Sequence, residues 1–285
     1  MAGNRRRRAT GERPQRLSAT PPSRSVDAGV EAALREIQRV LDTPLAELME
    51  SDEDRAQAEE LTREALVVPA MLRLGKLVAF VGDGRPATPA GNLKAPDAVA
   101  LARLLRADVD VPGAVRSMDD LPDVAHVFRW AIAAELLTAR KTKIVSGPRA
   151  GELERDPLSA WFKVATTLLE HGLLDGFQRG WRKVYVELLD AGAAPILAAI
   201  LEVGGQAPLS AIEDLAWEQV ASSYGYELDD AAERQQAVRL VRGMMTQFAD
   251  IGAVSCRDGN VVLTGLGGAL ASAAAAMSAD DEDLD

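Results

Sequence analysis

The chain has 285 residues, of which 47% are hydrophobic and 26% are charged, a composition typical of a globular protein. Its formal net charge of −11 excludes a basic coat over the whole molecule of the kind that attracts nucleic acid. One cysteine and two histidines exclude both a disulfide framework and a zinc site built from a Cys/His cluster.

Each end of the chain carries charge almost entirely of one sign. Residues 1–25 contain seven arginines and one glutamate among Pro, Ser, Thr and Gly, and they predict a disordered basic tail. The first interpretation of this tail is a solubilising segment, and the second is a non-specific anchor for phosphates. Residues 278–285 contain five acids and predict an acidic tail.

Neither a secretion signal nor a membrane span is indicated by the pattern of apolar residues. The arginine run has no apolar segment after it, as a signal peptide would have. The longest apolar stretch, 193–201, is too short to cross a bilayer. We therefore expect a cytoplasmic protein that does not associate with membranes.

The first half of the chain predicts helices separated by short β elements. The apolar run 77–81, followed by Gly, Asp and Pro, predicts a strand and a turn. A hairpin is predicted over 138–145. Apolar spacing predicts helices over 27–41, 51–66, 96–105 and 121–137.

The second half predicts a mainly helical domain that ends in a hairpin and an Ala-rich helix. Asp258-Gly259 separates two apolar runs, and this dipeptide is typical of a tight turn whose central residues have positive φ. The segment 146–157, rich in Gly, Pro and charge, is predicted to separate a domain over 26–150 from one over 151–277. Helices are predicted over 158–170, 180–189, 195–202, 209–223, 229–251 and 265–277.

A short repeated pattern in the sequence, an internal echo of one segment in another, predicts two similar modules. Asp83-Gly84 stands a few residues before Thr88, which is followed by Gly91 at the spacing Thr-x-x-Gly. Asp258-Gly259 stands before Thr264, which is followed by Gly267 at the same spacing. Both passages predict the succession of strand, turn, Thr-x-x-Gly and helix.

Three helices followed by a hairpin, over 195–277, resemble a winged helix-turn-helix domain. The segment 96–146 resembles a second, less complete unit of this kind. The run Thr88–Leu93 is similar to a motif in uncharacterised bacterial proteins, and the abundance of Ala, Arg and Asp is typical of high-GC bacteria. The resemblance implies a mainly α fold with small β-hairpins, arranged as tandem winged-helix-like units.

The third helix of the 195–277 unit has a polar face that could meet DNA. At 100° per residue, four polar side chains fall on one arc, opposite the apolar positions, and their types bond to base edges and phosphates. The hairpin tip and the basic turn of the first hairpin are predicted to contact phosphates. The alternative is a solvated face or a protein contact. The predicted nucleic-acid-binding residues are Gln235, Arg239, Arg242, Thr246, Arg257, Arg140, Lys141 and Lys143.

No arrangement typical of catalysis is found in the sequence. His126 lies in an amphipathic helix and His171 precedes Gly172 at a helix end, so both are interpreted as structural. Neither a nucleophile elbow nor a phosphate-binding loop is present. The four tryptophans lie in helical stretches and are predicted to be core or interface residues. We expect a non-enzymatic protein without a metal or cofactor.

The leading hypothesis is a DNA-associated transcriptional or chromosomal regulator whose partner is double-stranded DNA. The alternative is a protein–protein adapter that uses its winged-helix units as docking surfaces, which the acidic body favours. The sequence leaves open whether the helix over 27–41 packs on the body or on a second copy, in which case the chain would be a homodimer.

Overall fold

The computed structural model describes residues 51–106, 114–174, 183–227 and 230–282, and these are mostly helical with small antiparallel sheets of three strands. The predicted tail over 1–25, the predicted helix over 27–41 and the first residues of the helix predicted from Gly180 lie outside them. Within the described ranges, no helix is both long and apolar enough to span a bilayer.

Two consecutive helices lead into the first sheet. Helix α1 (Asp52–Val67) is capped by the hydroxyl of Ser51, which accepts the N–H of Asp54 at 3.1 Å. After the single residue Val68, helix α2 (Pro69–Val81) begins with a proline. Proline is well tolerated at the first position of a helix, where its missing N–H would have no partner in the helix.

The strand predicted over 77–81 is wrong, because these residues form the last turns of α2. Leu74, Leu77 and Val81 are buried at spacings of three and four residues, which is the pattern of one helix face. A short apolar run does not by itself distinguish a strand from a buried helix. The Gly and Asp residues that follow do form the predicted turn, with positive φ at Gly82 and Gly84.

Together with α2, the next elements form what we call the N-terminal module, residues 69–146. Its sheet is antiparallel, with β3 in the middle and Arg140 opposite Lys143 at the end of the hairpin. The predicted hairpin over 138–145 and helix over 96–105 are thereby confirmed. The elements are β1 (Arg85–Pro86), α3 (Ala95–Leu105), α4 (Pro122–Ala133), β2 (Leu137–Arg140) and β3 (Lys143–Ser146).

Three helices connect this module to the second. The longest, α6, begins after Asp156, whose carboxylate accepts the N–H of Ser159 at 3.2 Å, and ends before Gly172, which has a φ of 95°. The carboxylate of Asp190 accepts the N–H of Leu174 at 3.0 Å. The helices are α5 (Glu152–Arg155), α6 (Pro157–His171) and α7 (Lys183–Ala191).

The C-terminal module, residues 193–263, has the same order of elements as the first. Its sheet has the strand order β4-β6-β5, which matches the order β1-β3-β2. The predicted tight turn is confirmed, with φ of 50° at Asp258 and 76° at Gly259. The elements are α8 (Ala193–Glu202), β4 (Gln206–Pro208), α9 (Leu209–Tyr224), α10 (Ala231–Asp250), β5 (Val254–Arg257) and β6 (Asn260–Leu263).

The two modules correspond residue by residue in their hairpins, although not as the echo in the sequence predicted. Asp83-Gly84 precedes β1, whereas Asp258-Gly259 lies in the β5–β6 turn. The true counterpart of that turn is Lys141-Thr142, and Lys141 also has positive φ. Consequently Arg140 and Arg257 occupy equivalent positions, each at the end of the first hairpin strand.

Buried side chains of both modules and of the connecting helices belong to one continuous hydrophobic cluster. Trp161 of α6 contributes to it and donates its indole N–H to the carbonyl of Ile251 at 2.6 Å. Trp130 and Trp217 are also buried, as predicted, while Trp181 lies outside the described residues. The domain boundary predicted near residue 150 stays a prediction.

The terminal helix α11 (Gly265–Glu282) begins with a side-chain cap and extends into the predicted acidic tail. The hydroxyl of Thr264 accepts the N–H of Gly267 at 2.9 Å and donates to the carbonyl of Gly252. At Gly267 the helix lies against the backbone of Ala253, and a Cβ there would lie 1.7 Å from that carbonyl oxygen. The second Thr-x-x-Gly motif is therefore a helix start packed against the hairpin.

Adjacent glycines of α11 make this packing testable. Gly267→Ala should lower the free energy of unfolding by about 1–3 kcal/mol, because the added methyl group displaces the Ala253 backbone. Gly268→Ala is the matched control, since among the described residues no atom beyond the adjoining backbone of its own helix lies within 4 Å of its added Cβ. It should raise stability by up to about 1 kcal/mol. Urea denaturation followed by tryptophan fluorescence measures both, and equal effects would contradict the packing.

Candidate nucleic-acid interface

One face of α10 is exposed along most of its length, and it contains the arc predicted from the sequence. The opposite face packs into the core through apolar side chains that include Leu240, Met244 and Phe248. The helix therefore presents a continuous polar surface to solvent. The exposed members of the arc are Gln235, Arg239, Arg242 and Thr246.

Hydrogen bonds hold the side chains of this arc in place. The Nε of Arg242 donates to Oε1 of Glu213 on α9 at 2.6 Å, and the pairing raises the pKa of Arg242. The hydroxyl of Thr246 donates to the carbonyl of Arg242 at 2.8 Å. The Nε of Arg239 lies 3.3 Å from the carbonyl of Gln235, to which it donates.

Helix α9 places carboxylates beside the arginines of α10. Besides Glu213, Asp214 forms an ion pair with Arg234, just before the arc begins. These acids were not among the residues predicted from the sequence. Their position in a helix next to the polar helix was the only signal, and the sequence does not show which face of α9 meets α10.

The start of α10 is held by a separate set of polar groups. The carboxylate of Asp230 accepts the N–H of Glu233 at 3.1 Å and caps the helix. The hydroxyl of Tyr185, a fully buried side chain of α7, donates to Oε2 of Glu233 at 2.9 Å. Burial, together with Tyr226 and Glu233, raises the pKa of Tyr185. This bond ties the first turn of α10 to α7.

The hairpin tips present exposed cations. Arg257 ends β5, and Arg140, Lys141 and Lys143 surround the turn of the first hairpin; all four are exposed. None of them forms an ion pair within the part of the chain that the structure describes. They differ in this respect from Arg234 and Arg242, whose charges lie beside carboxylates.

Helix α4 is the counterpart of α10 in the N-terminal module, and it is buried on almost every side. Only Pro122, Asp123 and Arg129 among its residues are exposed. His126 stacks on Trp130, with ring centroids 4.2 Å apart, and its Nε2 lies 3.0 Å from Oε1 of Gln247 on α10. The N-terminal module can therefore offer its hairpin to a partner, but not this helix.

The described residues bring together no candidate metal site. They contain no cluster of three or more His, Cys, Asp or Glu side chains that could hold a metal ion. His126 is buried against its neighbours, and His171 lies at the last residue of α6, before the glycine that ends the helix. The structural roles expected for both histidines stay predictions.

No family model matches the chain, and neither a curated protein nor a solved structure shows significant similarity to it.

The bond between His126 and Gln247 should contribute measurably to the packing of α4 against α10. Gln247→Leu and His126→Leu should each lower the free energy of unfolding by about 1–3 kcal/mol, because each leaves a buried polar group with one partner fewer. The double substitution should cost less than the sum of the two. Urea denaturation of all four proteins measures this coupling, and strictly additive effects would show that the bond does not form.

The single cysteine gives a pH-dependent probe of the second hairpin. Cys256 is exposed beside Arg257, while partial burial raises the pKa of its thiol. Since the thiolate is the reactive form, Cys256 should react with a disulfide reagent more slowly at neutral pH than a free cysteine does. Its rate should continue to rise with pH beyond the ordinary thiol pKa of about 8.5. A rate that levels off at or below that pH would contradict this prediction.

Proposed function

We propose that the chain is a non-enzymatic, DNA-associated regulator made of two tandem winged-helix units. The observation that supports this most directly is the repeated order of helix, strand, two helices and hairpin, with the third strand central in each sheet. In a winged-helix unit the third helix enters the major groove, and the hairpin lies along the backbone. We include a cytoplasmic location in the proposal.

In this proposal the C-terminal module makes the groove contact. Its third helix, α10, has an exposed polar face, whereas α4 is enclosed by the rest of the molecule. Arg257 at the tip of the adjacent hairpin is exposed, and in this proposal it contacts a phosphate. The exposed cations at the tip of the other hairpin, Arg140, Lys141 and Lys143, supply a second set of phosphate contacts.

The acidic charge of the molecule bears on the strength of binding. With a net charge of −11, most of the surface repels DNA, so affinity depends on a few local cations and falls with salt at a slope set by the number of phosphates they neutralise. The exposed cations of the hairpins are better suited to phosphates than the paired arginines of α10, because a neighbouring carboxylate opposes the approach of an anion.

The proposal is tested by fluorescence anisotropy of the full chain with labelled duplex DNA over a series of salt concentrations. Replacing Arg140, Lys141 and Lys143 together with alanine should weaken binding and reduce the slope of log affinity against log salt by up to about 3, since each phosphate that is no longer neutralised removes about 0.9. Arg257→Ala should reduce the slope by about 0.9.

Lys76→Ala is the matched control, because Lys76 is an exposed cation on α2, away from the hairpins, with no ion pair in the described residues. It should leave the slope unchanged. Wild-type slopes in the hairpin variants would show that the hairpin cations do not contact phosphates. No binding by the wild type at low ionic strength would exclude DNA as the partner.

A protein–protein adapter is the second candidate. Two apolar side chains of the C-terminal module, Val203 at 66% and Leu215 at 54%, are more than half exposed, and in this candidate they would belong to the surface that meets another protein. In this case the modules would serve as docking surfaces, and a second copy of the chain is one partner to consider. Substitution of Leu215 with Ser would then weaken partner binding and leave DNA binding unchanged.

A further inference from the structure

The arginines and lysines of the proposed interface fall into two electrostatic classes. Arg140, Lys141, Lys143 and Arg257 are exposed and have no carboxylate partner among the described residues. Arg242, by contrast, is bound to a carboxylate of the neighbouring helix. Since a phosphate is an anion and a base edge is neutral, the two classes suit different parts of a DNA duplex.

The geometry of the Arg242 pair leaves its most useful donors free. The bond to Glu213 uses Nε, and neither Nη1 nor Nη2 of Arg242 makes a hydrogen bond within the described residues. The side chain of Arg242 is 63% exposed, whereas that of Glu213 is only 12% exposed. Glu213 is thus the fixed member of the pair, and the outer edge of the guanidinium faces away from it.

A guanidinium held in this way is pre-organised for a planar acceptor with two sites. The two outer N–H groups of arginine match O6 and N7 of guanine in the major groove, the commonest specific contact between a side chain and a base. Fixing the side chain before binding reduces the conformational entropy lost when the contact forms. The carboxylate also disfavours a phosphate at the same position, since like charges repel.

We propose that Arg242 reads a guanine in the major groove and that Glu213 is the positioning residue that holds its guanidinium for this contact. The proposal rests on the proposed DNA-binding function and deepens it by naming the base. It assigns base reading to Arg242 and phosphate contact to the exposed cations of the two hairpins. Glu213 itself touches no DNA.

The test begins with selection of duplexes from a pool with a randomised central segment, using the full chain. Wild-type protein should enrich a sequence with guanine at one position, preferred over adenine by about five- to a hundredfold. Arg242→Lys keeps the charge but lacks the fork, so it should abolish this preference while the salt slope stays that of the wild type. Because Arg242 is exposed, this variant should fold normally.

Glu213→Gln is the decisive variant. It should reduce the preference for guanine severalfold while strengthening the binding of duplexes of unrelated sequence, because a neutral amide holds the guanidinium more weakly and a negative charge is removed. A merely structural role for Glu213 would weaken both kinds of binding together. Glu218→Gln is the control for net charge, since Glu218 is exposed on the same helix and forms no ion pair in the described residues; it should leave the preference for guanine unchanged.

The outcomes separate the two proposals. Wild-type protein that binds no duplex would overturn both the proposed function and the base assignment, whereas binding without enrichment of any sequence would overturn only the base assignment. Sequence preference that survives unchanged in Glu213→Gln or in Arg242→Lys would overturn only the base assignment and leave DNA binding in place. An equal decrease of preference in Glu213→Gln and Glu218→Gln would show that net charge, and not the position of Arg242, is responsible.

Discussion

The burial of α4 among its neighbouring helices is the constraint on which the rest of the structure depends. Because this helix packs against α2, α3 and α6 and bonds to α10 through His126 and Gln247, little of its surface is left for a partner. Helix α10 packs mainly on α9, with further contacts to β5 and α7, and leaves its polar face in solvent. Two modules of similar topology thus differ in how much of their third helix is exposed.

Neighbouring carboxylates divide the exposed arginines and lysines into two groups, those with an acidic partner and those without one among the described residues. In an acidic molecule an arginine beside a carboxylate and an arginine without one are different chemical groups, although each has a charge of +1. The carboxylates of α9 fix the position of Arg242 and lower its attraction for anions, whereas Arg257 at the hairpin tip has neither constraint among the described residues. This difference arises from contacts between helices and is independent of the net charge of the chain.

Several elements were predictable because short-range chemistry defines them. The Asp258-Gly259 dipeptide predicts a turn because the central residues of a tight turn need positive φ. The apolar residues of α10 recur at helical spacing over 20 residues, which is longer than a strand. The error over 77–81 arose because five apolar residues fit a strand or a buried helix equally well. Strands β1 and β4, of two and three residues, are too short to show an alternating pattern, so they were not predicted.

The sequence by itself determined the helical character, both hairpins and the polar arc of α10, since each depends on residues close together in the chain. Only the tertiary structure decided that α4 is enclosed while α10 is exposed, that Arg140 and Arg257 are equivalent, and that Glu213 holds Arg242. These properties depend on residues brought together from distant parts of the chain, 121 residues apart for His126 and Gln247. Periodicity identifies a polar face, but the packing of other helices determines what that face meets.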